Sequence, residues 1–290
     1  MESRVTISSV KLPNFIEGQV PFQVPAAGCK TWYKVSGDLE SGISPLLVLH
    51  GGPGCAHEYL EIVSQLTTLH SIPIILYDQL GNGRSTHLQE KNGDTNNHDD
   101  YNVLGQSWGG MLAATFATQQ PKGLNKFIAD SPASMKLWVE VGAELRMKLP
   151  QNVQDTLNKH QPEGTTTHEE YLHATHTFYE NLLCRVKPMS QALKAALDWV
   201  DKDPMVDGPK EFHITGSLKI WSIIDDLHKV SVPTLPLNGR YDEAQDKSVE
   251  PYFRNIPRVE WIQFGESAHV SHLEETERFM DIVESFLLEY

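Results

Sequence analysis

The sequence predicts an α/β protein built on a mostly parallel central sheet, with a helical block inserted into it. Three observations lead there. Short apolar runs bounded by turn residues alternate with helix-periodic segments through residues 1–130. A charge-rich stretch of helical pattern, without a strand signal, follows from residue 138 to about 227. Strand-like runs then resume, and the chain closes on an amphipathic helix.

Thr31-Trp32-Tyr33-Lys34-Val35 is rich in β-branched and aromatic residues between Gly28 and Gly37, and reads as a strand. Leu46-Leu47-Val48-Leu49 is continuously apolar and runs into glycines, as a strand buried on both faces does. Residues 59–69 have helical spacing, and 72–77, 101–104 and 126–129 read as further strands. Between the last two, residues 111–120 form an alanine-rich helix closed by Pro121. Strands return at 232–237 and 259–264, before a helix over 273–288. An all-helical block between sheet strands reads as a cap over one core. The expected division is core 1–130, cap 131–228 and core 229–290. Pro236 is an oddity, because proline removes a ladder donor from a strand that should be central.

Composition narrows the function classes. Of 290 residues, 40% are hydrophobic, enough to bury a core. Lysine and arginine number 24 against 38 acidic residues, a net charge of −14 that repels nucleic acid and anionic membranes. No apolar run approaches the roughly 20 residues of a spanning helix, and the N-terminus lacks a signal-peptide stretch. The three cysteines, Cys29, Cys55 and Cys184, are too few and too scattered for a disulfide framework or a zinc ribbon. A soluble cytoplasmic protein is expected.

The strongest chemical signal is Gly105-Gln106-Ser107-Trp108-Gly109, directly after a strand pattern and directly before a helical one. In this elbow a serine sits on a sharp turn, with small flanking residues because the backbones approach closely. The helix N-terminus behind it favours negative charge developing in front. Serine alone is a weak nucleophile and needs a base, which needs an orienting carboxylate. The chain order expected for this elbow is Ser, Asp, His. Asp242 follows the strand at 232–237, and His269 follows the strand at 259–264. Both fall in loops at C-terminal strand ends, where open α/β sheets place their sites. His272 competes for the base role, but it opens the final helix, where a first-turn position is expected to be solvated. Acyl transfer also needs N–H donors for an oxyanion. Trp108, after the nucleophile, supplies one. The glycine-lined His50-Gly51-Gly52-Pro53-Gly54 turn supplies the other, at Gly52.

Together with Tyr77-Asp78-Gln79-Leu80-Gly81-Asn82-Gly83-Arg84-Ser85 and Asn238-Gly239-Arg240-Tyr241-Asp242-Glu243, these segments resemble the proline iminopeptidases. Within that α/β-hydrolase family the fungal proline iminopeptidase and L-amino-acid amidase branch is most similar. The resemblance implies a cofactor-free, metal-free serine hydrolase that releases N-terminal amino acids, often proline, from peptides or amides through an acyl-enzyme. Its partner would be a small substrate with a free amino group. The resemblance also implies that Glu243 and Glu211 hold that amino group. A buried ammonium must be paired, which gives the two carboxylates a physical reason. Trp138 and Trp221 offer either an aromatic wall for a proline ring or core packing. A carboxylesterase would use the same triad, and an inactive isoform or paralogue would keep it.

Other features carry less. His168, His173 and His176 lack the helical spacing of a zinc pair with a placed glutamate. Cys55 reads as a buried, inert thiol. Between the strand ending at Asp78 and that beginning at Tyr101, the family carries a crossover helix. Here Leu80 and Leu88 are the only aliphatic residues, and the polar run from Glu90 to Asp100 cannot cover a sheet face. A core helix is therefore expected to be missing, leaving an apolar patch beside residues 46–49 and 101–104.

Overall fold

The structure, a computed structural model, describes residues 11–24, 27–86, 100–202 and 216–289. Strands β1 (Ile16–Val24) and β2 (Ala27–Ser36) form an antiparallel ribbon, in register from Ile16↔Val35 to Val24↔Ala27. The sheet continues through β3 (Leu46–Leu49), β4 (Ile74–Tyr77), β5 (Tyr101–Gln106), β6 (Leu124–Asp130), β7 (Thr234–Gly239) and β8 (Ile262–Phe264). Its spatial order is β1-β2-β4-β3-β5-β6-β7-β8, and every pairing from β4 to β8 is parallel.

Two apolar layers sandwich the parallel strands because side chains alternate across each strand. Leu46, Val48, Ile74, Leu76 and Leu104 face one layer. It contains the 3₁₀ helix His57–Ser64, α1 (Gln65–His70) and α9 (Thr276–Leu288), whose Phe279, Met280, Val283 and Phe286 are buried. Leu49, Val103, Phe127 and Ala129 face the other, filled by Met111, Ala113 and Ala114 of α2 (Trp108–Ala117) and by Val249 and Tyr252 of α7 (Asp246–Asn255). Between β6 and β7 the chain forms α3 (Met135–Arg146), α4 (Gln151–Glu163), α5 (Glu169–Leu182) and α6 (Gln191–Lys202). Two 3₁₀ turns, Gly216–Ile220 and Ile224–Lys229, complete that block, and α8 (Ser271–Glu274) follows β8. Among the described residues, no helix is long and apolar enough to cross a membrane.

Two expectations meet a different outcome. Most of the segment in which a crossover helix was expected to be missing, residues 87–99, lies outside the described residues. The bare apolar face expected beside β3 and β5 is not found. Leu47, Ile75, Tyr77 and Tyr101 are half-buried and none is exposed, since Leu47, Tyr77 and Tyr101 pack against the cluster that α2 supplies. Pro236 does lie inside β7, paired with Ala129 of β6. Thr234 donates its N–H to Arg258 on the opposite side, so by alternation Pro236 also turns its nitrogen that way. There the ladder is interrupted between the Thr234↔Val259 bridge and the Leu237↔Ile262 pair, so no donor is missed.

Phe279 stacks on Phe264 of β8 at 5.8 Å and is fully buried. Phe279→Ala should therefore cost about 3–5 kcal/mol. The expected reading is a lower urea midpoint with an unchanged slope; an unmoved midpoint would show that α9 does not hold the core.

Candidate active site

The chain passes from β3 to β4 on one side and then to β5 on the other, so the loops leaving β3 and β5 diverge and open a crevice at their C-terminal ends. Ser107 stands there, between the last residue of β5 and the first of α2, at φ 53° and ψ −121°. A non-glycine residue at positive φ is strained and persists only where its surroundings enforce it. Ser107 N–H donates to the Asp130 carbonyl at 2.6 Å. A Cβ on Gly105 would strike the Gly109 carbonyl, and one on Gly109 would strike the Leu49 carbonyl. The elbow is thus wedged between β3 and β6 by contacts that only glycine allows.

The loops after β7 and β8 bring the acid and imidazole together. Asp242 Oδ1 lies 2.7 Å from His269 Nδ1 and also accepts the Ala244 N–H at 2.6 Å, while Oδ2 accepts the Gly239 N–H at 3.2 Å. The imidazole therefore carries a proton on Nδ1 and turns Nε2 away, where no hydrogen-bond partner meets it among the described residues. The sequence pattern does not reveal what holds this loop. Gln106, just before the serine, donates Nε2–H to the His269 carbonyl at 3.0 Å. Its Oε1 accepts the Tyr59 hydroxyl at 2.6 Å, and that hydroxyl accepts the Gly51 N–H at 2.7 Å. One glutamine thus ties the serine elbow, the histidine loop and the turn after β3 into a unit.

That turn has its own brace. Gln79 donates its backbone N–H to His50 Nε2 at 3.0 Å and its side-chain N–H to the His50 carbonyl at 2.9 Å, and accepts Trp108 Nε1–H at 3.0 Å. Gly51 spends its N–H on Tyr59, and Gly52 follows it at φ 114°. Behind it, His57 Nδ1 lies 2.7 Å from Asp78, which also accepts the Arg84 N–H at 2.9 Å, and the His57 ring lies over Trp32 at 4.4 Å. Lys34 pairs with Glu61, whose carboxylate is 3.5 Å from His57 Nε2.

Glu243 is buried beside Asp242, its Oε1 3.8 Å from His269 Nε2. Trp138 presents its ring edge to His269 at 5.9 Å and packs, with Trp221, in the apolar cluster of α2. Glu211 lies outside the described residues. Cys55 is buried in the other cluster. His168 approaches His160 and Glu170, a trio that the spacing of His168, His173 and His176 does not suggest. His173 and His176 are exposed.

His272 departs from expectation. It is buried, not solvated, because Tyr59 and Phe279 enclose its ring at 5.5 and 5.8 Å. Burial, aided by His269, pushes its pKa down to about 3, so it is neutral. Burial also opposes charge on His269, but the Asp242 carboxylate, with smaller help from Glu243 and Asp130, overrides it and raises that pKa to about 10. Burial, with the neighbouring Asp242 carboxylate, pushes the Asp130 pKa well above its ordinary value.

These opposite shifts give opposite pH dependences. Between pH 6.5 and about 3 the unfolded chain protonates His272 while the folded chain does not, so stability falls as pH drops through that window. His269 holds its proton longer when folded, so its contribution is full below pH 6.5 and is lost as pH rises toward about 10. His272→Leu should flatten the acid decline of the urea midpoint and leave the alkaline decline in place. An unchanged acid decline would contradict a buried neutral ring.

A family profile described as alpha/beta hydrolase fold matches residues 44–276. The proline iminopeptidase of Heyndrickxia coagulans is 30% identical over 275 residues, covering 86% of this chain and 92% of that one. The crystal structure of VinJ superposes with a TM-score of 0.87 at 41% identity, over 94% of this chain and 98% of that one. The proline iminopeptidase of Mycobacterium smegmatis superposes at 0.83 with 36% identity, over 93% and 97%. The chain belongs to the proline iminopeptidase family of α/β-hydrolase-fold enzymes.

Proposed function

We propose that this enzyme releases an N-terminal amino acid, proline or another small L-residue, from a peptide or amino-acid amide through an acyl-enzyme. The observation that carries the reading is the buried Glu243 carboxylate 3.8 Å from His269 Nε2. That nitrogen is where a proton from Ser107 has to arrive, so it lies close to the scissile carbonyl. An α-amino group is two bonds from that carbon. An anion at this place therefore suits substrates whose reacting residue carries a free ammonium, and a plain ester has nothing to offer it.

In this reading Ser107 attacks the carbonyl, His269 takes its proton and returns it to the leaving amine, and Asp242 orients and stabilises the imidazolium. The amides of Gly52 and Trp108 meet the oxyanion, with the dipole of α2 behind them. Trp138, edge-on to His269, and Trp221 beside it supply an apolar wall that suits a pyrrolidine ring. The proposal rests on Glu243 without the help of Glu211. Access to cytoplasmic peptides fits a substrate of this kind.

With L-prolyl p-nitroanilide as substrate, Ser107→Ala should lower turnover by about 10⁶-fold, because the three residues act as a unit. Retention of most activity in a clean preparation would remove Ser107 from the mechanism. Glu243→Gln should cost about 2–5 kcal/mol in kcat/KM on the same substrate, the effect of deleting one partner of a buried charge pair. A loss below threefold would place the amino-group site elsewhere.

A further inference from the structure

Two carboxylates face His269 from opposite edges. Asp242 Oδ1 lies 2.7 Å from Nδ1, and Glu243 Oε1 lies 3.8 Å from Nε2. The three side chains are 0–4% exposed. Burial shifts the other titratable groups around the ring toward their neutral forms. Burial pushes the pKa of Asp130, at the end of β6, well above its ordinary value, and His272 on α8 is a neutral imidazole. Glu274, also on α8, has its pKa raised by burial, while the Tyr59 phenol is held well above its ordinary range. Trp138 on α3 and the Ser107 hydroxyl add no charge. The imidazole thus sits between two buried anions, and a cation there relieves both. Yet the nitrogen that must accept the serine proton is the one beside Glu243, and an imidazolium cannot act as a base.

We propose that Glu243 holds His269 as an imidazolium in the free enzyme, and that the substrate's ammonium, by taking over Glu243, releases the imidazole to act as base. Amino-group recognition and arming of the nucleophile are then one event. The proposal rests on the assignment of Glu243 to the substrate's amino group. Charge and protons balance: one cation leaves the Glu243 carboxylate as another arrives. A substrate entering as ammonium sends the Nε2 proton to solvent. One entering as free amine receives that proton itself, and both routes reach the same complex, an ammonium on Glu243 beside a neutral imidazole. Two consequences are built in. A substrate without an amino group meets a charged histidine and a resting serine, and the empty enzyme is protected from adventitious acylation.

The test is a ring-nitrogen NMR titration of histidine-labelled Ser107→Ala protein, which binds without turning over, with His269→Gln used to assign the signal. In the free protein His269 should remain doubly protonated at pH 8. Saturating L-prolinamide should lower its titration midpoint by roughly 1–3 pH units, the size of effect that an opposite charge at this distance exerts. Adding Glu243→Gln should lower the midpoint by a similar amount without ligand. A neutral His269 at pH 7.5 in the free protein, or a midpoint that Glu243→Gln leaves in place, would overturn the proposal. L-Prolinamide that binds while His269 stays charged would overturn it and leave the amino-group reading standing. Failure of L-prolinamide to bind at millimolar concentration would overturn both.

Discussion

The molecule depends on one strained residue. Ser107 is held at φ 53° by contacts from two strands and a helix: its N–H bonds to the end of β6, and the glycines on either side touch the backbone of β3 and α2 at distances no side chain permits. The strain is affordable because the parallel sheet behind it is buried on both faces, with Leu46, Val48, Ile74, Leu76 and Ile128 fully enclosed. Its effect is to lift one hydroxyl above the sheet at the N-terminus of α2. Everything polar in the crevice is arranged around that point.

Putting so many ionisable groups into one buried place creates a charge problem, and the structure solves it by dividing the groups. Burial drives Asp130 toward its neutral form and leaves His272 uncharged, whereas Asp242 and His269 form the ion pair. Glu243 is buried on the other side of the ring, 3.8 Å from His269 Nε2. The backbone ties follow the same economy. Gln106 links the elbow to the histidine loop and, through Tyr59, to Gly51, and Gln79 locks His50 against Trp108. Gln106 does this from the position next to Ser107, and Gln79 from the loop that follows β4.

The parallel strands and the elbow were legible because their signals are local: apolar runs ending in glycine, and a serine between small residues at a strand-to-helix turn. Asp242 and His269 were legible from their place at strand ends, although only folding shows that they meet. β1 was not legible. Its Ile16 and Val20 are exposed and its middle carries Gly18 and Pro21, so an edge ribbon left no buried pattern to read. The burial of His272 was missed because it depends on Tyr59, more than two hundred residues earlier. The half-covered face of β3 was misjudged for a related reason: among the described residues its cover comes from the cluster around α2, far along the chain from β3. Long-range packing, more than local preference, separates what could be read from what could not.

The central claim is that this crevice recognises a free amino group on the residue it transfers. Rates on L-prolyl p-nitroanilide and on its N-acetyl derivative, with the same purified, folded protein, test it most directly. Acetylation leaves the scissile bond and the ring in place and turns the amine into an uncharged amide. The account predicts hydrolysis of the free substrate and none detectable for the acetylated one, whereas equal rates would contradict it and point to a general carboxyl-ester or amide hydrolase.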